Sequence, residues 1–150
     1  MQAAGRLRRP WLNSLIVPFT ISGNNGLLWI VIGVIVADPL RTAVTVWGTL
    51  LVNTAIKLTV RRQRPLAQEF KSLVNLPVTT SFPSAHASMS AAAAFALTHA
   101  QPELVGLWIG MALLMGASRV YVGAHHASDV LAGFALGGMI GVLSLALPTS

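Results

Sequence analysis

The chain contains no cysteine, and only four of its 150 residues are acidic. The first absence excludes disulfides, thiolate nucleophiles and cysteine-ligated metals, although it leaves the compartment open. The second leaves Asp38, Glu69, Glu103 and Asp129 as the only carboxylates, spread along the chain. An oxygen cage for Mg²⁺ or a two-metal centre needs several carboxylates together, so no metal and no cofactor is expected. Charge of either sign is scarce. Soluble domains carry about 25% charged residues, whereas this chain has 9%, with 54% hydrophobic residues and a mean hydropathy of +0.69. Most of its exterior must face lipid rather than water.

Ten basic residues against four acidic give a formal charge of +6, which suits anionic headgroups or a phosphorylated substrate. Nucleic acid is not an expected partner, because the basic residues cluster at the ends of apolar segments and no soluble basic domain carries them. At the N-terminus, a basic stretch precedes an apolar run that starts at Trp11 and is broken by Asn13, Ser14 and Pro18. No small-residue cleavage pattern follows, so a signal peptide fits poorly. A short interfacial or re-entrant segment over residues 1–25 fits better, with Trp11 and Phe19 near headgroups and Arg6, Arg8 and Arg9 in water.

Apolar stretches recur at 26–37, 42–60, 84–99, 104–117 and 127–147. Crossing a membrane takes about 20 helical residues, so the second and last are long enough and the others are short. The segments 84–99 and 127–147 are rich in Ala, Gly and Ser, which lets membrane helices approach closely; both are expected inside the bundle. The reading is an all-α integral-membrane bundle of five to six helices, the first short and interfacial. Residues 1–150 form a single domain, with one long polar loop over 61–82. The turn Gly23-Asn24-Asn25-Gly26 has no assigned role.

Ionisable residues in or beside membrane segments are costly and mark function. Here they fall in three groups: "KLTVRRQRP" from Lys57 to Pro65, "PSAH" from Pro83 to His86, and "SRVYVGAHHASD" from Ser118 to Asp129. In the third, a helix starting near residue 125 places His125 and Asp129, four apart, on one face. The carboxylate can then hold one imidazole nitrogen while the other attacks. His126 points about 100° away and is a bystander. Alone, Asp129 would read as a first-turn acid and His125 as a packing residue; Arg119 beside them favours chemistry. In the second group, Pro83 suits a first helical turn, so Ser84, Ala85 and His86 open a helix whose N–H groups favour phosphate. His86 suits a general acid. In the first, Lys57 and Arg64 supply cations for phosphate, joined by Arg119, while Arg61, Arg62 and Lys71 read as interfacial anchors.

Taken jointly, Lys57-x6-Arg64-Pro65, Pro83-Ser84-Ala85-His86 and Ser118-Arg119-x5-His125-x3-Asp129 resemble the motifs of the type-2 phosphatidate phosphatase superfamily, over roughly residues 50–135. The one departure is Ala85, where that family usually has glycine; the added methyl leaves the N–H available. The resemblance implies a metal-independent lipid phosphatase of the small bacterial integral-membrane branch, acting on a phosphate or diphosphate monoester such as a polyprenyl or glycerolipid phosphate. It implies that His125 attacks phosphorus to form a phosphohistidine, that Asp129 orients it, and that His86 protonates the leaving alkoxide and then activates water. Lys57, Arg64, Ser84, the Ala85 N–H and Arg119 would hold the phosphoryl oxygens.

Two other readings compete with this one. A non-catalytic membrane protein could bind anionic lipid through the basic loop, but it would not need His86, His125 and Asp129. A vanadate haloperoxidase-like enzyme shares the constellation but should have a soluble surface. If residues 11–22 lie in the interface, then 26–37 and 42–60 cross out and back. Arg6, Arg8, Arg9, Lys57, Arg61, Arg62, Arg64, Lys71 and Arg119 would then share a side, with Arg41 opposite. That bias places the active site on the cytoplasmic side of a bacterial plasma membrane.

Overall fold

The computed structural model describes residues 7–36, 38–65, 72–76 and 80–146. Arg6, Glu69 and Lys71, which figure in the sequence reading, lie outside them. Among the described residues there are six α-helices and no strand: α1 Pro10–Ser22, α2 Leu27–Ile35, α3 Pro39–Val60, α4 Ala85–Ala100, α5 Val105–Tyr121 and α6 Ala127–Ser144, with single 3₁₀ turns at Asn24–Gly26 and Pro102–Leu104.

Local chemistry sets the boundaries. Pro10 and Pro39 open α1 and α3, where a missing N–H costs nothing. At α3 the Asp38 side chain caps by accepting from the Arg41 N–H. The helix starts three residues before the apolar stretch 42–60 and takes in Arg41, which is buried by pairing with Asp38 at 2.9 Å. Between α1 and α2, Asn25 (φ 53°) and Gly26 (φ 76°) turn the chain left-handed, and the two helices meet at a bend of 60°. A side chain at Gly26 would also strike Val46, so the position takes glycine for both reasons.

Residues 39–60, 102–121 and 127–144 are each long and apolar enough to span a bilayer, and the bent α1–α2 pair qualifies as one broken span. The stretch near 104–117 is therefore longer than the sequence implied, since Arg119 and Tyr121 stay helical. The first segment also differs from expectation. Trp11 is exposed as an interfacial residue should be, but Phe19 packs against the core with Trp29, Met89 and Met115.

The 16-residue α4 is the central helix, with nine of its residues buried. It runs parallel to α6: Gly133, Gly137 and Gly141 lie successively against Ser84, Ser88 and Phe95. A methyl group at Gly137 would fall 2.0 Å from the Ser88 carbonyl oxygen, so only glycine permits this backbone approach. In lipid, such close packing replaces the hydrophobic effect as the force between helices. The expectation that both small-residue helices are interior holds for α4 alone. α6 buries one stripe and turns Leu131, Met139 and Leu143 outward, each at least 68% exposed.

These packings put the end of α3, the start of α4, the end of α5 and the start of α6 together at one end of the bundle.

Candidate active site

Each motif sits where a helix begins or ends. Near the end of α3, Lys57 is buried and its ammonium donates to the Thr80 carbonyl at 2.8 Å. The chain leaves α3 through Arg61 in the left-handed region (φ 49°), and the next residues are non-helical. Arg64 donates to the Ala124 carbonyl at 3.0 Å and stands 3.4 Å from His125 Nε2.

The start of α4 differs from the expectation that Pro83 lies in its first turn. Ser84 is the N-cap rather than a first-turn residue, and Pro83 precedes the cap. The Ser84 N–H donates to the Asp129 carbonyl at 2.9 Å, which ties α4 to α6. Ala85 and His86 occupy the first turn, whose N–H groups have no intrahelical partner. His86 Nε2 lies 3.1 Å from Asn24 Oδ1, at the α1–α2 bend.

Arg119, in the last turn of α5, is 4% exposed and donates to Thr20 Oγ1 at 2.7 Å, while its Nε is buried with no hydrogen-bond partner among the described residues. Its carbonyl receives the N–H groups of Ala124 and His125 as the chain reverses through Gly123 (φ 79°). His125 is thereby delivered from a loop. This is a second correction: α6 starts at Ala127 with His126 as its N-cap, so His125 and Asp129 meet through cap geometry and not along a helix face. Asp129 Oδ2 accepts the His126 N–H at 2.9 Å, so the aspartate is a capping residue as well as His125's neighbour.

His125 Nδ1 lies 3.7 Å from Asp129 Oδ2. That is an electrostatic contact, too long for a hydrogen bond. On the opposite side of the ring a guanidinium faces Nε2, and a guanidinium only donates. Nε2 therefore carries the lone pair and Nδ1 the proton. Burial pushes the imidazole down to about 4; Asp129 opposes this, and the charges of Arg64, Arg119 and Lys57 add to it. The ring is neutral at pH 7.

The structure thus gathers Lys57, Arg64, Ser84, Ala85, His86, Arg119, His125 and Asp129 at one end of the bundle. It also adds residues the sequence reading missed. Arg62, read as an anchor, pairs with Asp129 at 2.8 Å. The Ser81 hydroxyl donates to the same carboxylate. Thr20 and Asn24 come from the N-terminal pair of helices. A polar turn inside an apolar region was the one sign of Asn24; Thr20 and Ser81 gave none. Among the described residues no three His, Asp or Glu side chains converge in a way that could hold a metal ion.

A family model described as the PAP2 superfamily matches residues 38–149. Phosphatidylglycerophosphatase B of Bacillus subtilis is 36% identical over 157 aligned positions, covering 91% of this chain and 75% of that protein. Decaprenylphosphoryl-5-phosphoribose phosphatase of Mycobacterium tuberculosis is 41% identical over 90 positions, 59% of this chain and 49% of the relative. Among solved structures, the transmembrane PAP2-type phosphatidylglycerolphosphate phosphatase of Bacillus subtilis gives a TM-score of 0.77 at 30% identity, covering 96% of this chain and 80% of its own. LpxE of Aquifex aeolicus gives 0.84 at 22% identity, covering 97% and 92%, a likeness of fold.

Proposed function

The chain belongs to the PAP2 superfamily and is an integral-membrane lipid phosphatase, and we propose that it hydrolyses a phosphate or diphosphate monoester whose apolar tail remains in the bilayer, such as a polyprenyl or glycerolipid phosphate. One observation carries this reading: a neutral histidine whose lone pair faces a guanidinium, with two further buried cations nearby. In this reading His125 Nε2 attacks phosphorus, and the bond from phosphorus to the lipid oxygen breaks. His86 gives that oxygen a proton. A water then gives a proton back to His86 and attacks the phosphohistidine, which frees inorganic phosphate and restores His125. Lys57, Arg64, Arg119, Ser84 and the first-turn N–H of Ala85 neutralise the phosphoryl oxygens, which is most of what phosphoryl transfer asks of a protein. The unpartnered Nε of Arg119 supports the reading, since a buried donor without an acceptor is expensive unless a ligand supplies one.

The relatives' named substrates support a lipid carrying a terminal phosphate. Phosphate release from a panel of polyprenyl phosphates, polyprenyl diphosphates, phosphatidylglycerophosphate and phosphatidic acid, using purified protein in detergent, is the test. Turnover of at least one, persisting in EDTA and inhibited by vanadate, is expected; no release from any would refute the reading.

We further propose that the active end faces the cytoplasm of a bacterial cell. Arg8 donates to the Tyr121 carbonyl at 3.1 Å, which supports placing the N-terminal segment at the active end. Arg8, Arg9, Lys57, Arg61, Arg62, Arg64 and Arg119 belong to that end and Arg41 to the other, the bias of a cytoplasmic face. In this cysteine-free chain, single cysteines at the exposed positions Asn75 and Glu103 report the two faces. An impermeant thiol reagent on intact bacteria should label Glu103→Cys and spare Asn75→Cys; the reverse would overturn the orientation alone.

A further inference from the structure

The Asp129 side chain is wholly buried, and every donor to it among the described residues comes from a different part of the chain. Arg62 Nη1 is 2.8 Å from Oδ1 and also donates to Ser128 Oγ at 2.9 Å. The Ser81 hydroxyl and the His126 N–H both donate to Oδ2. The Ser81 N–H in turn donates to the Arg62 carbonyl at 2.7 Å. Residues 62, 81 and 129 therefore close a ring that joins the first and third sequence motifs through Ser81, two residues before the second.

Two physical points make Arg62 more than an anchor. A buried carboxylate is stable only when paired and hydrogen-bonded, and Arg62 is the counter-charge in contact with it. Moreover, Ser81 and His126 hold only Oδ2, so Arg62 fixes the second oxygen and with it the plane of the group. The backbone explains its reach. In the non-helical stretch 61–65, Arg62 and Arg64 are partly buried whereas Arg61 and Gln63 are exposed, the alternation of an extended segment. One arginine of that inward pair takes the carboxylate, and the other faces the far side of the His125 ring.

We propose that Arg62 is a positioning residue for the phosphatase reaction: together with Ser81 it clamps both oxygens of Asp129, so that Oδ2 stays turned towards Nδ1 of His125 and the ring keeps its lone pair on Nε2. The inference rests on His125 acting as nucleophile. It differs from phosphate binding, which the proposed function gives to Arg64, Arg119 and Lys57, and from an interfacial role, which any cation would fill without touching Asp129.

The test is a double-mutant cycle on the full chain in detergent, with short-chain phosphatidic acid as substrate and inorganic phosphate as competitive probe. Arg62→Gln should lower kcat by about 10- to 100-fold, the scale of a misplaced catalytic group. KM and the inhibition constant of phosphate should stay within about two-fold, because ground-state binding is untouched. Arg62→Lys should recover part of the loss. In an Asp129→Asn background, Arg62→Gln should cost less than about two-fold, since its target no longer carries charge. An unchanged kcat, a parallel rise in KM and in the phosphate inhibition constant, or the same fold-loss in both backgrounds would each overturn the proposal. Should Arg62→Gln fail to fold, Ser81→Ala and Arg62→Lys enter the same cycle, with the same outcomes. Full activity in His125→Ala would instead sink the nucleophile assignment, whereas an inactive His125→Ala beside a normal Arg62→Gln would sink only this inference.

Discussion

Both ends of the bundle bury an arginine, and they treat it differently. At the far end Arg41 meets Asp38 at 2.9 Å, donates to the Ser144 carbonyl at 2.8 Å, and so ties the start of α3 to the end of α6. One cation meets one carboxylate, and the account closes within the protein. Beside it lies an apolar groove of about 450 Å³ lined by Ala94, Phe95, Thr98, Val105 and Ile109. At the active end Arg119 has a threonine hydroxyl for a partner and an unsatisfied Nε. There Lys57 feels the charges of Arg64, Arg119 and Asp129, the carboxylate that Arg62 already neutralises. Buried charge balanced by the protein is a strut; buried charge left in excess is, in the proposed function, where the substrate phosphate binds.

The largest effect should come from the nucleophile. His125→Ala is expected to remove turnover to below detection while leaving the thermal unfolding of detergent-solubilised protein close to normal. The next contrast separates the two ends. Arg41→Ala breaks a closed buried pair and should destabilise the fold by about 3–5 kcal/mol, with kcat per folded molecule unchanged. Arg119→Ala should do the opposite, lowering kcat/KM by about 10²- to 10³-fold, as loss of a transition-state donor does, with a smaller change in melting temperature. If both variants lost activity and stability in the same proportion, the distinction between strut and site would fail.

Much of this was legible in the sequence, because the site residues come as short motifs whose residue types have few other uses in a membrane. Five of the six helices follow the apolar stretches closely. Errors arose where a tertiary partner changed a residue's character. Arg41 lies just outside the apolar stretch 42–60, yet Asp38 carries it inside the helix. Arg61 and Arg62 look alike in sequence, but backbone alternation sends one outward and the other to Asp129. The Gly23-Asn24-Asn25-Gly26 turn was visible but not its 60° bend, and it is the bend that brings Thr20 and Asn24 to the site. The expected helical pairing of His125 with Asp129 gave the right neighbours for the wrong geometric reason, since a loop residue just before the N-cap meets a first-turn side chain four positions on as readily as a helical pair does.

A smaller effect concerns pH. An ordinary imidazole titrates near 6.5, and His125 is held down to about 4 by burial. Only the neutral ring attacks, so the acid limb contributed by this group should fall near pH 4 and not near 6.5 in a profile of kcat/KM. Stability runs in the same sense: the unfolded chain binds the proton more readily, so this group's contribution is full above about 6.5 and is lost as pH falls through 4. Circular-dichroism melts across that window check the second statement. The smallest effect belongs to the neighbour. His126→Ala should retain most activity, because the backbone N–H that reaches Asp129 survives the substitution; a loss comparable to that of His125→Ala would show that the two rings had been assigned to the wrong roles.

The central claim is that His125 becomes phosphorylated. Brief exposure of purified protein to a ³²P-labelled lipid phosphate, followed by an alkaline quench and peptide mapping, tests it directly. A label stable to alkali, labile to acid, located at His125 and absent from His125→Ala is the expected result. A label on another residue, or unlabelled protein with undiminished turnover in His125→Ala, would contradict it.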